Sequence, residues 1–325
     1  MHSKLPLLTI GIPTWNRSKE LQECIELVAA QVEAVNEDVE IFVSDNASSD
    51  GTEELLCRME AHIGFLCHSR NKTNIGYDLN LLEVLKRSSG KYVWLLSDDD
   101  FVTDGAVAEI LRIIRNHEPA HISTNFLLCD SNKTIANIQP QKHFLVAKDI
   151  LHADINQTFL KRNCWLSFIS SNVFRRDSMD CAEYEAHKDQ LRDWIQVYIV
   201  AHVLSNKPDC YLSSFNAVLL RTGNSSFNPF GHVKTMPEAF SYTFHEFSVD
   251  RQVARRVMNE IRTMILPFRS FLCYRALDVE ISPLLISWYY KLALLVPKVW
   301  ILSAWKAKRF IWGKGFSLPH NLSSS

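Results

Sequence analysis

The chain has 325 residues, 47% hydrophobic and 22% charged, a globular composition that excludes a disordered, collagen-like or coiled-coil protein. Lys and Arg number 35 against 36 Asp and Glu, so the net charge is −1, without the basic excess of a nucleic-acid binder, and no nucleic-acid partner is expected. Ten glycines argue against a glycine-rich nucleotide loop, and neither G-x-x-x-x-G-K-[ST] nor G-x-G-x-x-G occurs.

Leu7–Ile12 is a short apolar run closed by Pro13 and reads as a buried strand. Leu21, Cys24, Ile25, Val28, Val32 and Val35 then recur at helical spacing. Val39–Ser44 is a second strand. Leu55, Leu56, Met59 and Ile63 mark a second helix, with Asp50 and Glu53 spaced as a capping box. Phe65–His68 is a third strand, and Leu81, Leu82, Val84 and Leu85 form a helical stripe ended by Ser88-Ser89-Gly90. Tyr92–Leu96 is a fourth strand that runs into Asp98-Asp99-Asp100. Thr103 is placed to cap a helix carrying Val107, Ile110, Ile113 and Ile114, and Ile122–Cys129 is a fifth strand. Trp165–Phe174 reads as a strand, Leu191–Leu204 as a helix and Tyr211–Leu220 as one or two strands. Helical pattern dominates from about Pro237.

Strands alternating with helices over about 120 residues imply an α/β fold, a mostly parallel sheet with helices on both faces. Ligands bind such sheets beyond the carboxyl ends of the strands, here just after Ile12, Ser44, His68 and Leu96. Each point carries short polar residues: Pro13-Thr14-Trp15-Asn16-Arg17, then Ser44 to Thr52, then Arg70 to Asp78, then the Asp triplet. Singly, each is ordinary turn chemistry. Four converging on one sheet edge point to a site for a base, a ribose or a sugar. Three packed carboxylates repel one another, and a hard cation such as Mg²⁺ or Mn²⁺ relieves that. The other reading of the triplet is a solvated acidic loop.

The segments IGIPTWNR (Ile10–Arg17), SDNASSDGT (Ser44–Thr52), Asn74-Ile75-Gly76 and LLSDDD (Leu95–Asp100) resemble, in order and spacing, family 2 glycosyltransferases of the GT-A fold. SDNASSDGTEE is similar to the abequosyltransferase-like sugar transferases of O-antigen synthesis. The match covers about Leu7–Leu111. It implies a Rossmann-like GT-A domain over residues 1–225, divided into a nucleotide-sugar half (1–130) and an acceptor half (131–225). A mostly helical extension, residues 226–325, would follow. It also implies a nucleotide-diphosphate sugar donor and roles for residues: Pro13, Thr14 and Arg17 lining the nucleotide pocket, Asp45 and Asn46 at the base side, and Asn74, Gly76 and Asn80 flanking ribose or donor sugar. Asp98, Asp99 and Asp100 match the D-x-D region and would hold Mg²⁺ or Mn²⁺. Ser97 stands where the family often has its first Asp, which leaves the ligating pair open; Asp99 is favoured, with Asp98 or Asp100 second.

Transfer to a hydroxyl needs a general base. The family often places an acid ahead of an aromatic at a helix start in the second half. Gln190 to Ile195 fits, with Asp193 as candidate base and Asp189 in reserve; the alternative is a carboxylate serving only the helix dipole. Arg221-Thr222-Gly223-Asn224-Ser225 resembles the family's closing R-x-G-x-S and would meet diphosphate or acceptor. The expected reaction is a single, inverting displacement onto a saccharide or lipid-linked acceptor of bacterial surface polysaccharide. A non-catalytic membrane-surface protein of the same fold, or another metal-dependent phosphoryl-transfer enzyme, is the alternative.

From Leu284 to Ser325 there are six basic residues and no acid, leaving −7 on the rest of the chain, and four of the eight Trp lie there. Lys291, Pro297 and Lys298 interrupt the apolar run, so a spanning helix is disfavoured and a helix in the membrane interface is expected, the other reading being a core helix. The eight Cys form no C-x-x-C pair, and the start lacks a signal-peptide pattern. The expectation is a cytoplasmic protein with reduced thiols, peripheral at the inner face of the membrane.

Overall fold

The computed structural model describes residues 5–35, 39–135, 145–222 and 229–265. Its first third follows the alternation read from the sequence. Strand β1 (Leu8–Thr14) leads to α1 (Ser18–Val35), β2 (Val39–Asp45) to α2 (Thr52–Glu60), and β3 (Leu66–Arg70) to α3 (Tyr77–Arg87), before β4 (Tyr92–Leu95). A short β5 (Phe101–Val102) precedes α4 (Ala106–His117) and β6 (His121–Cys129). The second half holds β7 (Ile150–Ala153), α5 (Ile155–Arg162), β8 (Asn172–Arg175), α6 (Cys181–Ala186), α7 (Lys188–Leu191), α8 (Ile195–Asn206) and β9 (Cys210–Arg221). Helices α9 (Pro229–Glu246) and α10 (Arg251–Ile265) follow, in keeping with the expected helical extension.

These strands form one sheet in the order β3-β2-β1-β4-β8-β6-β9-β5, with β7 also on β9. The mostly parallel pairing expected from the sequence is found in β3-β2-β1-β4 and in β6-β9. β8 enters antiparallel between β4 and β6, and β5 and β7 pair antiparallel with β9, so the sheet is mixed. Both faces are covered, as the near-continuous apolar strands require. Leu8, Ile10 and Ile12 face Leu21, Ile25 and Val28 of α1 and Ile110 and Ile114 of α4. Val93 and Leu95 lie on the other face with α3, α5, α8 and α9. Close approach of α3 to β1 requires Gly11, since a Cβ there would stand 2.3 Å from Val84 Cγ1.

Three local expectations are corrected. Asp50 and Glu53 form no capping box, because the N-cap of α2 is Gly51 in the left-handed region (φ 86°). The Asp50 carboxylate instead accepts from the Thr52 hydroxyl (2.5 Å) and from the Ser18 amide at the start of α1 (2.9 Å). Thr103 does not cap α4 through its side chain; Gly105 is the N-cap, and the Thr103 hydroxyl donates to the Asn216 carbonyl (2.6 Å). A capping box does form at Asp154–Gln157, at the start of α5.

The expected strand Trp165–Phe174 is mostly two 3₁₀ turns, Asn163–Ser167 and Ile169–Ser171. Here side chains outcompete the ladder. Ser167 Oγ donates to the Cys164 carbonyl (2.7 Å), Ser171 Oγ to the Phe168 carbonyl (2.9 Å), and Asn172 Nδ2 to the same Phe168 carbonyl (2.7 Å). The helix expected over Leu191–Leu204 breaks at Arg192–Trp194 and begins at Ile195. The seven described cysteines are free thiols.

Candidate active site

Strand register alone gathers the polar loops. Thr14 pairs with Asp45, and Asp45 with Arg70, so the carboxyl ends of β1, β2 and β3 are level. Gly11 pairs with Leu95, so extending β4 by three residues brings Asp98 beside Thr14, whose hydroxyl donates to Asp98 Oδ2 (2.7 Å).

The first two loops are sewn together. Asn16 and Ala47 take left-handed backbone (φ 52° and 60°). The Asn16 amide donates to Ser48 Oγ (2.8 Å), and the Ser49 amide donates back to Asn16 Oδ1 (2.7 Å). Asp45, expected at the base ring, is fully buried. Arg70 Nη1 donates to its Oδ2 (2.5 Å) and the Ser48 amide to its Oδ1 (2.9 Å). Arg70 also donates through Nη2 to the Ser48 carbonyl (2.8 Å), making it the buttress of this loop.

Asn46, Asn74 and Asn80, expected around the donor, form a brace. Asn46 Nδ2 donates to Asn74 Oδ1 (2.9 Å) and the Gly76 carbonyl (3.2 Å), and Asn46 Oδ1 accepts from the Ile75 amide (2.9 Å) and Asn71 Nδ2 (3.1 Å). Asn80 Oδ1 accepts from Ser44 Oγ (2.8 Å) and Asn71 Nδ2 (3.0 Å). Asn46 and Asn80 are thus consumed in shaping the loop that ends at Gly76 (φ 87°). Pro13, near the end of β1, is buried.

The acidic turn is buried as well. Arg17 Nη1 lies 2.5 Å from Asp98 Oδ1 and 3.0 Å from Asp99 Oδ2. Ser97, the departure from the family pattern, donates its hydroxyl to Asp99 Oδ1 (2.6 Å). Asp100 turns away, accepting from Ser170 Oγ (2.6 Å) and the Arg221 amide (3.2 Å). Burial pushes the Asp98 carboxyl up to about 6 against the pull of Arg17, with Asp99 adding to the rise. Burial, then Asp99, pushes Asp100 up to about 8. Burial also works against the Arg17 charge, but the charges of Asp98 and Asp99 prevail and its pKa is raised.

A proton or a bound cation would relieve the same burial. Hard carboxylate oxygens suit Mg²⁺ or Mn²⁺, which commonly take one or two carboxylates and complete their shell with phosphate and water. Among the described residues no three His, Cys, Asp or Glu converge as a metal set. The donor chemistry fits a one- or two-carboxylate site on Asp99 and Asp98, where a cation would compete with the contacts of Arg17, Thr14 and Ser97.

Asp193 lies in the break before α8, exposed, with φ 71°, after Arg192 at φ 37°. Its amide donates to Asp78 Oδ2 (2.7 Å). Asp189 is exposed on α7, 3.8 Å from Lys188 Nζ. Tyr77, at the start of α3, is 37% exposed as a residue, and burial of its hydroxyl, with the charges of Asp78, Asp193, Asp98 and Asp99, pushes that hydroxyl well above the ordinary range. Arg221 Nη2 pairs with Glu23 (2.7 Å), and its guanidinium stacks 4.1 Å from the Phe101 ring centre. The rest of its motif, Gly223 to Ser225, lies outside the described residues. The sequence reading places Tyr77 and Asp78 only at the end of the third polar cluster, and Ser170 escapes it. Only Tyr77-Asp78 carried a signal, an aromatic and an acid directly after Asn74-Ile75-Gly76.

The pattern of glycosyl transferase family 2 matches residues 9–181. The chain is 29% identical over 245 residues to abequosyltransferase RfbV of Salmonella typhimurium, covering 70% of each chain. It is 30% identical over 125 residues to the GalNAc(5)-diNAcBac-PP-undecaprenol beta-1,3-glucosyltransferase of Campylobacter jejuni, covering 38% of this chain and 39% of that one. Among solved structures it resembles residues 1–349 of S. aureus TarS in complex with UDP, with a TM-score of 0.58 at 15% identity, covering 84% of this chain and 75% of that one. It also resembles the mannosyltransferase PcManGT from Pyrobaculum calidifontis in complex with GDP-Man and Mn²⁺, with a TM-score of 0.54 at 13% identity, covering 95% and 88%. The fold is that of GT-A glycosyltransferases, and with the family pattern spanning more than half of its length, the chain belongs to glycosyl transferase family 2.

Proposed function

We propose that this glycosyltransferase moves a sugar of the deoxyhexose kind from a nucleoside-diphosphate donor to a hydroxyl of a saccharide or lipid-linked saccharide, with inversion, in the building of a bacterial surface polysaccharide. The observation that carries the reading is the meeting of Thr14 and Arg17 with Asp98 and Asp99 at the carboxyl edge of the sheet. The likeness to RfbV supports the deoxysugar, and the undecaprenol-linked substrate in the name of the Campylobacter relative supports a lipid-linked acceptor.

Pro13, Thr14, Arg17 and the Asp45–Asn46 loop receive the nucleotide, while Asn74, Gly76 and Asn80 shape the floor beside the sugar. Arg221 closes the diphosphate side behind Asp100. Asp98 and Asp99 would hold Mg²⁺ or Mn²⁺, which when bound offsets the charge of the leaving diphosphate. Asp193, with Asp189 in reserve, takes the proton of the acceptor hydroxyl as that oxygen attacks the anomeric carbon, and the bond to the nucleotide breaks on the opposite side. The working unit is residues 1–225.

No helix of the described residues is long and apolar enough to cross a membrane. The basic, Trp-bearing segment Leu284–Ser325, outside the described residues, would bring the enzyme to the inner face of the membrane, each basic residue contributing about 1 kcal/mol near anionic lipid. The test is a melting panel of UDP, GDP, CDP and dTDP with and without Mn²⁺ or Mg²⁺. A nucleotide at 100 times its Kd stabilises by about 2.7 kcal/mol. A metal-dependent shift for one nucleotide, lost in Asp99→Asn, supports the reading. No shift with any nucleotide sinks it.

A further inference from the structure

Asp78 is a buried carboxylate with no part in the reaction just described. It sits at the second position of α3, two residues beyond Gly76, where the asparagine brace has already fixed the chain. Its two oxygens reach across to the acceptor half. Oδ2 accepts from the Asp193 amide at 2.7 Å and Oδ1 from the Ile195 amide at 3.3 Å, partners 115 and 117 residues away in sequence.

Those amides need such a partner. Ile195 opens α8, and the residue at its N-cap, Trp194, supplies no side-chain cap. The first amides of a helix have no acceptor within the helix. The segment also carries two consecutive residues in the left-handed region, Arg192 and Asp193, which L-residues adopt only when surrounding contacts hold them there. Two hydrogen bonds reach this turn from Asp78, in the proposed donor half.

We infer that Asp78 is a positioning residue: fixed on the helix that starts at the donor loop, its carboxylate clamps the backbone of Asp193 and so aims the base at the site where the donor sugar lies. This rests on the reading of Asp193 as base. The clamp measures the base's position from Gly76 rather than from the fold of the acceptor half. A side chain that accepted only one of the two amides would leave the left-handed turn free to relax, and Asp193 would be present but misdirected. The charged and titratable groups near the clamp are Tyr77 and Asp193, with Asp98 and Asp99 beyond the Tyr77 hydroxyl.

The experiment uses the full chain with the sugar donors of whichever of UDP, GDP, CDP or dTDP shifts its melting and an undecaprenyl-diphosphate-linked saccharide as acceptor, and compares Asp78→Asn, Asp193→Asn and the double variant with wild type. Melting and circular dichroism confirm folding. Asparagine retains one acceptor oxygen, so Asp78→Asn should bind nucleotide within twofold of wild type. Its kcat should fall about 10- to 100-fold with an altered pH profile, as for groups whose alignment limits proton transfer. The double variant should fall no further than Asp193→Asn alone, because the two residues act as one unit. Should Asp78→Asn not fold, Asp78→Glu, which keeps the charge and moves it by one methylene, is predicted to show the same loss of kcat with donor binding intact. A kcat within threefold of wild type with an unchanged pH profile, or losses that multiply in the double variant, overturns the clamp. Wild-type turnover in Asp193→Asn overturns the base reading itself and the clamp with it, an outcome distinct from a failed clamp beside an inactive Asp193→Asn.

Discussion

The proposed donor and acceptor halves both carry carboxylates assigned to the reaction, but they hold them differently. On the donor side Asp45, Asp98 and Asp100 are buried, each tied by neighbouring loops or strands. On the acceptor side Asp193 and Asp189 are exposed, and Asp193 stands on a left-handed turn. A buried, hydrogen-bonded carboxylate is pre-organised to meet a fixed cation or hydrogen-bond donor. A base must reach a hydroxyl that arrives with the acceptor, and exposure leaves room for that arrival. The difference teaches that one half provides the frame and the other is aimed from it.

The sharpest way to break this comparison is Asp193→Asn. Removing a general base should lower kcat by about 10²- to 10⁴-fold while nucleotide binding, measured by melting, stays near wild type. Equal loss of both would place Asp193 in the frame instead. Arg70→Ala tests the frame directly. It leaves the buried Asp45 without its partly exposed cation and should cost about 1–3 kcal/mol in denaturant unfolding. A cost below about 1 kcal/mol would show that the loop is not held by this pair.

The central sheet has a buried titrating group away from these carboxylates. His121 on β6 is fully buried against Phe174, and burial depresses its pKa to about 4, against a smaller upward pull from Asn172. The folded imidazole resists protonation that the unfolded chain accepts below about 6.5, so stability is lost as pH falls from about 6.5 to about 4 and the loss is complete below that. The contribution is on the order of 3 kcal/mol. His121→Gln should lose less stability than wild type over that window in urea titrations, the carboxylates with raised pKa cancelling in the difference. Identical pH dependence would remove His121 as the source. The smallest expected effect is at the capping box of α5, where Asp154→Ala should cost about 1 kcal/mol without altering donor binding. A change in nucleotide affinity there would mean that the halves are coupled far from those carboxylates.

The donor half was legible because each of its polar clusters directly follows an apolar strand, and parallel register then levels those strand ends. Thr14, Arg17 and Asp98 could be grouped from sequence on that basis, although the hydrogen bonds that join them could not. Asn46 and Asn80 carry the right residue type for ligand contact, yet their amides are spent on Asn71, Asn74 and Ser44, a choice made in three dimensions. The acceptor half was harder to read. Ser167, Ser171 and Asn172 divert an apolar run from strand to 3₁₀ turns through bonds to their own backbone. The break at Arg192–Trp194 is held from Asp78, more than a hundred residues upstream, and no local pattern announces it.

Those long reaches set an order in time. Asp100 is made with β5 but is secured by Ser170 and by the backbone of Arg221, 70 and 121 residues later. At a synthesis rate of about 5–20 residues per second, the last of these partners leaves the ribosome about 6–24 s after the carboxylate it holds. The first four strands can pair while the rest of the chain is still being made, whereas the acidic turn waits for β9. A nascent chain would therefore acquire its donor-side framework early and its complete carboxylate array only when translation of the final strand ends.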